Sequence, residues 1–188
     1  MTFFDLSKIK FAIDNSDALF GNTKIVTIDG PAGSGKTTLA NELSAVLADA
    51  NGAMTIIHLD ELYEGWSDAL GQKLFDRIDA WITTPIRNGL APRHPIYDWH
   101  LGRYASWSDA LLTSVLIIEG VGAGHSSLRH HVSQAIWVEA DEDLLLDRVV
   151  ERDGEIVRDE MLIWKARERS YFELHDVKKS AHIHMHGQ

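Results

Sequence analysis

The sequence predicts an α/β fold in three layers: a five-stranded parallel sheet with helices on both faces and a short lid. Three observations predict it. Five short apolar runs are spaced along the chain, with helical patterns between them. One run, Val115-Leu-Ile-Ile118, has no polar interruption, as suits a strand buried on both faces of a parallel sheet. A glycine-rich turn joins the first run to the first long helical pattern. The chain has 188 residues and no internal repeat, low-complexity run or linker, so it reads as a single domain, 1–188.

The elements follow in order. Residues 3–20 form a helical lead-in, with Phe4, Ile9, Ile13 and Leu19 as inward positions. The strands are Ile25–Ile28, Thr55–Leu59, Val115–Ile118, Ala135–Val138 and, most weakly patterned, His182–Met185. The helix Lys36–Ala50 puts Leu39, Leu43, Val46 and Leu47 on one face. The helix Asp141–Arg152 opens on an Asp suited to capping and turns Leu144, Leu145 and Val149 inward. The helix Asp159–Glu173 spreads Leu162, Trp164, Tyr171 and Phe172 more broadly. Residues 150–160 are the expected lid. Alternating strands and helices imply right-handed crossovers, and ligands in such sheets sit at the carboxyl ends of the strands.

Composition narrows the function. There are no cysteines, which excludes disulfides, thiolate metal sites and cysteine nucleophiles. The formal net charge of -10 argues against a nucleic-acid partner, though not against a small polyanion held by a local cluster of donors. No stretch reaches the roughly 18 apolar residues of a membrane span, and the N-terminal residues carry an early acid and no cleavage-type segment. The expected setting is cytoplasmic, without a membrane partner.

Residues Gly30-Pro31-Ala32-Gly33-Ser34-Gly35-Lys36-Thr37 match G-x-x-x-x-G-K-[ST], between a strand and a helix. Glycines let the backbone curl so that successive N–H groups point at phosphate oxygens, and the helix presents its positive end to the same anion. Lys36 is expected to reach the outer phosphates, Thr37 to ligate Mg²⁺, and Thr38 to complete the cradle. The G-x-x-G-x-G-K-T form and the lack of an Asn-Lys-x-Asp guanine-reading motif favour ATP over GTP.

Two acids follow strands. Asp60, in His58-Leu-Asp60-Glu61-Leu-Tyr63, is placed to accept a proton from a substrate hydroxyl; its bland alternative is a helix N-cap. Glu119, after the uninterrupted apolar run, suits the second Mg²⁺ position through a water; its alternative is a solvated strand end. Tyr63, Trp66, Arg93, Tyr97 and Asp98 come from two stretches dense in aromatic and ionisable groups and are the candidate acceptor pocket. Arg148, Arg152 and Arg158 flank the lid turn Asp153-Gly154-Glu155, with Arg152 the candidate for steadying charge on a transferring phosphoryl group. His182, His184 and His186 would share one strand face, but they lack the further ligands of a metal site and read as structural.

Together these motifs resemble the uridine kinase-like branch of P-loop small-molecule kinases. The resemblance rests on the G-x-x-G-x-G-K-T loop, Asp60-Glu-Leu-Tyr63, Pro95-x-Tyr97-Asp98-Trp99, Ile118-Glu119-Gly120 and the Arg148–Asp153 stretch, in family order across residues 24–160. It implies a P-loop NTPase fold, with Asp60 as catalytic base, Tyr63, Tyr97 and Asp98 at the acceptor and Arg152 in the lid. Gly102 stands where the family carries a base-reading His, and Tyr104 stands two residues on in place of an Arg, with Arg103 beside it. The resemblance therefore extends to phosphoryl transfer and not to pyrimidine recognition.

The expectation is ATP–Mg²⁺-dependent phosphoryl transfer to a hydroxyl of a small-molecule acceptor, a nucleoside or another metabolite. Two alternatives stay open. A nucleoside monophosphate kinase would need an arginine pair for the acceptor phosphate, and Arg87, Arg93 and Arg103 are available. A nucleotide-dependent switch or NTP hydrolase would act without a small acceptor.

Overall fold

The computed structural model describes residues 5–51 and 54–187. Strands β1 (Lys24–Asp29), β2 (Thr55–His58), β5 (Val115–Glu119), β6 (Val132–Glu139) and β7 (Ile183–His186) form one sheet in the order β2-β5-β1-β6-β7. All its pairings are parallel. The central position of β1 places the loop that follows it mid-sheet, flanked by the ends of β5 and β6.

Alternation along each strand builds the two outer layers. Val26 and Ile28 of β1, Val115 and Ile117 of β5, and Ile136 and Val138 of β6 pack with Leu39, Leu43 and Leu47 of α2 (Lys36–Asn51) and with Leu6, Ile9 and Ile13 of α1 (Leu6–Asp14). Their neighbours Ile25, Leu116, Ile118 and Trp137 face the opposite way, into a second core. That core is closed by α3 (Gln72–Ile78), which a π-type turn (Asp79–Thr83) joins to α4 (Thr84–Arg87), and by α6 (Arg158–Leu174) with α7 (Val177–Ser180). Each fully buried aliphatic chain contributes about 1.5–3 kcal/mol.

The expected strands are all present, longer or shorter by a few residues, and the three main helices also lie where their patterns put them. Several inward assignments are corrected. Leu19 is 51% exposed, and Phe20 beside it takes the buried place. Leu144 is 43% exposed, because α5 (Glu142–Asp153) buries the i, i+4 pair Leu145 and Val149 instead. Leu162 is 55% exposed, since the buried stripe of α6 runs Met161, Trp164, Glu168, Tyr171. Val46 is only partly buried, at the edge of its cluster. Asp141 stands at the N-cap of α5, but its side chain makes no capping hydrogen bond and lies 3.5 Å from His186 Nε2. Phe4 lies outside the described residues.

Between β2 and β5 the chain makes an excursion that the patterns did not reveal. It contains α3, the π-type turn, α4 and an antiparallel hairpin of β3 (Arg93–Asp98) and β4 (Arg103–Asp109). The residues expected to form a lid make a turn at Gly154 followed by a short 3-10 segment, Glu155–Val157. Among the described residues no helix is long and apolar enough to cross a membrane.

Candidate active site

The loop Gly30–Thr37 is shaped by close backbone approach. Gly33 and Gly35 have φ of +82° and +97°. A Cβ on Gly30 would stand 1.9 Å from Val138 O, and one on Gly33 would stand 2.3 Å from Leu145 O. Only glycine lets the loop sit between the end of β6 and the start of α5. Lys36 is buried, and its Nζ donates to Gly30 O and Pro31 O at 2.8 Å each. Desolvation pulls its ammonium below the ordinary value, against the attraction of Glu119, Asp29 and Glu168. Ser34 Oγ is buried with no hydrogen-bond partner among the described residues. Thr37 and Thr38 stand exposed in the first turn of α2.

Glu119 is not a solvated strand end: it is 4% exposed. Its Oε1 accepts from Thr37 Oγ1 at 3.0 Å and lies 2.6 Å from His58 Nδ1. The sheet register makes His58 and Glu119 direct partners across β2 and β5. That hydrogen bond holds the His58 imidazole above its ordinary pKa. Thr37 and Glu119, the expected metal ligands, thus already meet as a pair of hard oxygen donors, the ligand type Mg²⁺ takes.

Asp60 lies in a 3-10 turn, Leu59–Glu61, and does not cap it; the N-cap residue is His58. Asp60 is exposed, yet the protein around it raises its carboxyl, by desolvation first and by Glu119 next, while His58 and Arg152 act against the shift. A third acid, Asp29 at the end of β1, is buried beneath the loop. It accepts from Gly30 N at 2.7 Å, Gly124 N at 2.8 Å, Gly122 N at 3.2 Å and the Tyr171 hydroxyl at 3.1 Å. Burial still raises its carboxyl to about 6.

Beside Asp60 stands an aromatic wall. Tyr63 is buried, with its hydroxyl donating to Val121 O. Trp99 lies 4.9 Å from Trp66, 5.3 Å from Tyr97 and 6.3 Å from Tyr63, centroid to centroid, and its Nε1 donates to Asp60 O at 3.2 Å. Trp164 closes the wall from α6, 5.6 Å from Trp66. The hairpin therefore brings Tyr97 and Trp99 beside the turn that carries Asp60.

Of the five candidate acceptor residues, Tyr63, Trp66 and Tyr97 come together here. Asp98 is adjacent, but its Oδ1 accepts from His100 N and Leu101 N and shapes the hairpin turn. Arg93 sits at the other end of β3, where its Nε pairs with Asp109 at 2.7 Å and its guanidinium stacks over Trp107. Gly102 completes the turn with φ of +63°. Tyr104 donates its hydroxyl to Leu62 O at 2.9 Å, a framework bond under the wall.

Arg152 pairs with Asp153 at 2.6 Å and lies within electrostatic reach of Asp60 and Glu119. Arg148 Nη1 donates to Gly33 O at 3.3 Å, and Arg158 pairs with Glu155 on the exposed lid. Among the described residues no cluster of three or more acids or histidines is arranged to hold a metal, at His182–His186 or elsewhere.

Sequence reasoning missed His58, Asp29, Trp164 and Glu168. For His58 and Asp29 a signal existed, since each ends a strand at the carboxyl edge. Glu168 interrupts an apolar helix stripe, which becomes legible once Met161, Trp164 and Tyr171 are recognised as that stripe.

The fold is shared with solved structures. A possible uridine kinase from Bacillus stearothermophilus aligns with a TM-score of 0.68 at 19% identity, over 96% of each chain. A candidate fructose transport system kinase from Silicibacter sp. TM1040 aligns with a TM-score of 0.58 at 19% identity, over 98% of each chain. No curated protein sequence matches. The family model described as an AAA domain matches residues 26–172, a span that holds the phosphate loop, Asp60, Glu119 and Arg152. By this match, and by the P-loop carried on the central strand of a parallel sheet, the chain belongs to the AAA domain family of P-loop NTPases.

Proposed function

We propose that the protein is an ATP-dependent kinase that transfers a phosphoryl group to a hydroxyl of a small molecule, in the cytoplasm. The observation that carries the reading is the placement of Asp60. Its carbonyl accepts from Trp99 Nε1 at 3.2 Å, and its carboxyl lies within electrostatic reach of Glu119, the partner of Thr37, which supports a place between loop and acceptor. The loop fits a polyphosphate: its glycines admit no side chain, and Ser34 Oγ is an unpaired polar group within it. ATP supplies the phosphoryl group, and Mg²⁺ offsets the charge on its oxygens.

The chain's own residues do the rest. Loop N–H groups and Lys36 bind and orient the phosphates. Thr37 and Glu119 would hold the metal. Asp60 takes the proton from the acceptor hydroxyl, and its raised carboxyl lies closer to the operating pH than an ordinary aspartate. Tyr63, Trp66, Tyr97 and Trp99 shield the acceptor from water and stack on its flat or apolar face. Arg152 adds positive charge from the lid, exchanging its Asp153 partner for the transferring group.

A hydroxyl acceptor is favoured over a nucleotide acceptor because two of the three arginines that could hold a second phosphate are engaged elsewhere, which leaves Arg103 alone where a pair is needed. Arg93 is held by Asp109, and Arg87 lies over Phe20 and 3.8 Å from Asp79. The test is an ADP-release screen over nucleosides, sugars and vitamins, followed by Asp60→Asn on the accepted substrate. Turnover should fall about 10²–10⁴-fold. Unchanged turnover removes Asp60 as the base, and ATP binding with slow hydrolysis and no acceptor favours a nucleotide switch.

A further inference from the structure

Helix α6 touches both halves of the site along one face. Trp164 packs against Tyr63 and Trp66, and Arg167 Nη1 donates to Trp66 O at 2.7 Å. Glu168 Oε2 accepts from Ala32 N at 3.0 Å, and Tyr171 donates to Asp29. The Glu168 contact is chemically out of place. N–H groups of a phosphate loop form a nest for phosphate oxygens, and here a side-chain carboxylate from a distant helix holds one of them. The side chain is 4% exposed, so its charge is not dissipated in water.

The charged groups around Glu168 do not make a settled ion pair. Lys36 of α2 attracts it and Asp29 of β1 repels it. It also borders a cleft of about 390 Å³ lined by Lys165 and Arg169 of α6, Glu139 of β6, Glu142 of α5 and Lys178 of α7. There Arg169 is paired with Glu142 and Lys178 with Glu139. Lys36 is the cation that a nucleotide would draw toward its own phosphates.

We propose that Glu168 is an internal anion competing with nucleotide phosphate for the loop, so that nucleotide binds with uptake of a proton at Glu168. A polyphosphate on the loop brings negative charge against a buried carboxylate, where the effective dielectric constant is low. The carboxylate relieves the repulsion by taking a proton. As the neutral acid it still accepts from Ala32 N through its carbonyl oxygen, so the loop keeps its shape. Burial has already raised this carboxyl to about 7, which puts the proton within reach at neutral pH.

The inference rests on the nucleotide reading of Gly30–Thr37 and is independent of the acceptor. Isothermal titration calorimetry of the full chain with Mg-ATP, at pH 6 and pH 8 and in two buffers of different ionisation enthalpy, tests it. Glu168→Gln keeps the acceptor for Ala32 N and removes the charge. The variant should bind ATP up to about tenfold more tightly than the wild type at pH 8, equivalent to one pKa unit of coupling, and equally at pH 6. The wild type should take up a proton that the variant does not. An affinity ratio that is the same at both pH values, or weaker binding by the variant at both, overturns the proposal, since that is what a purely structural clasp gives. Proton uptake by the wild type alone is the check if the variant folds poorly, and its absence also overturns the proposal. No nucleotide binding by either protein overturns the nucleotide reading itself.

Discussion

Glu168 also bears on stability before any ligand arrives. Its carboxyl sits at about 7 in the folded chain against an ordinary 4.5. Below 4.5 both folded and unfolded states hold the proton and there is no cost. Between 4.5 and 7 the unfolded chain ionises first, so stability falls as pH rises, by up to ~3 kcal/mol above pH 7. Glu168→Gln escapes that cost. Its melting temperature should exceed the wild type's at pH 8 and match it, or fall below it, at pH 5. Asp29 shifts the same way, from 3.8 to about 6, but it is common to both proteins and cancels in the comparison. A melting difference that is constant with pH would show that the carboxyl is not held protonated by burial.

At the scale of elements, the phosphate loop depends on two neighbours outside its own sequence. The Val138 and Leu145 carbonyls set how close the backbone must come. Gly33→Ala places a methyl 2.3 Å from Leu145 O at a φ of +82°, so the loop and the start of α5 must separate. ATP binding, followed by calorimetry, should be lost, and melting should drop by the several degrees that 1–3 kcal/mol of strain implies. Near-normal binding would mean that the loop is not fixed by this contact. The same scale shows what the sequence revealed and what it hid. β1, β5 and α2 carry their pattern locally, in short apolar runs or a regular stripe, and were legible. β3 begins Arg-His-Pro, and β4 sets Tyr104 and Trp107 three residues apart among mostly polar neighbours, with no buried side chain. They pair locally as a hairpin, but its placement rests on contacts far away in sequence, such as Trp99 with Asp60 and Tyr104 with Leu62. Helix α3 was hidden for another reason: the π-type turn after it breaks the 3.6-residue period. In the site, the loop, Asp60 and Glu119 were read as candidates because each adjoins an apolar run, whereas Asp29, which also ends one, was passed over. Glu168 was not, because an acid on a helix reads as solvated until its whole face is known to be buried.

At the scale of the molecule, the candidate site is assembled from separate parts of the chain. The sheet supplies the phosphate loop and the acids, the excursion supplies Trp66, Tyr97 and Trp99, and α6 supplies Trp164 and Glu168. Three of the six tryptophans therefore meet at one place, with successive centroids 4.9 and 5.6 Å apart. Indoles this close share their excited states, and their coupled transitions give the candidate site an optical signature in near-ultraviolet circular dichroism. A ligand entering beside Asp60 must alter those ring angles, and one bound elsewhere need not. Trp99→Phe should weaken the near-ultraviolet signal by removing the Trp66–Trp99 pair while the Trp66–Trp164 pair remains; a near-ultraviolet spectrum unchanged by that substitution would separate the indoles. The wall that would grip the acceptor is thereby also its detector, able to register an unlabelled and non-reacting compound at the moment it docks.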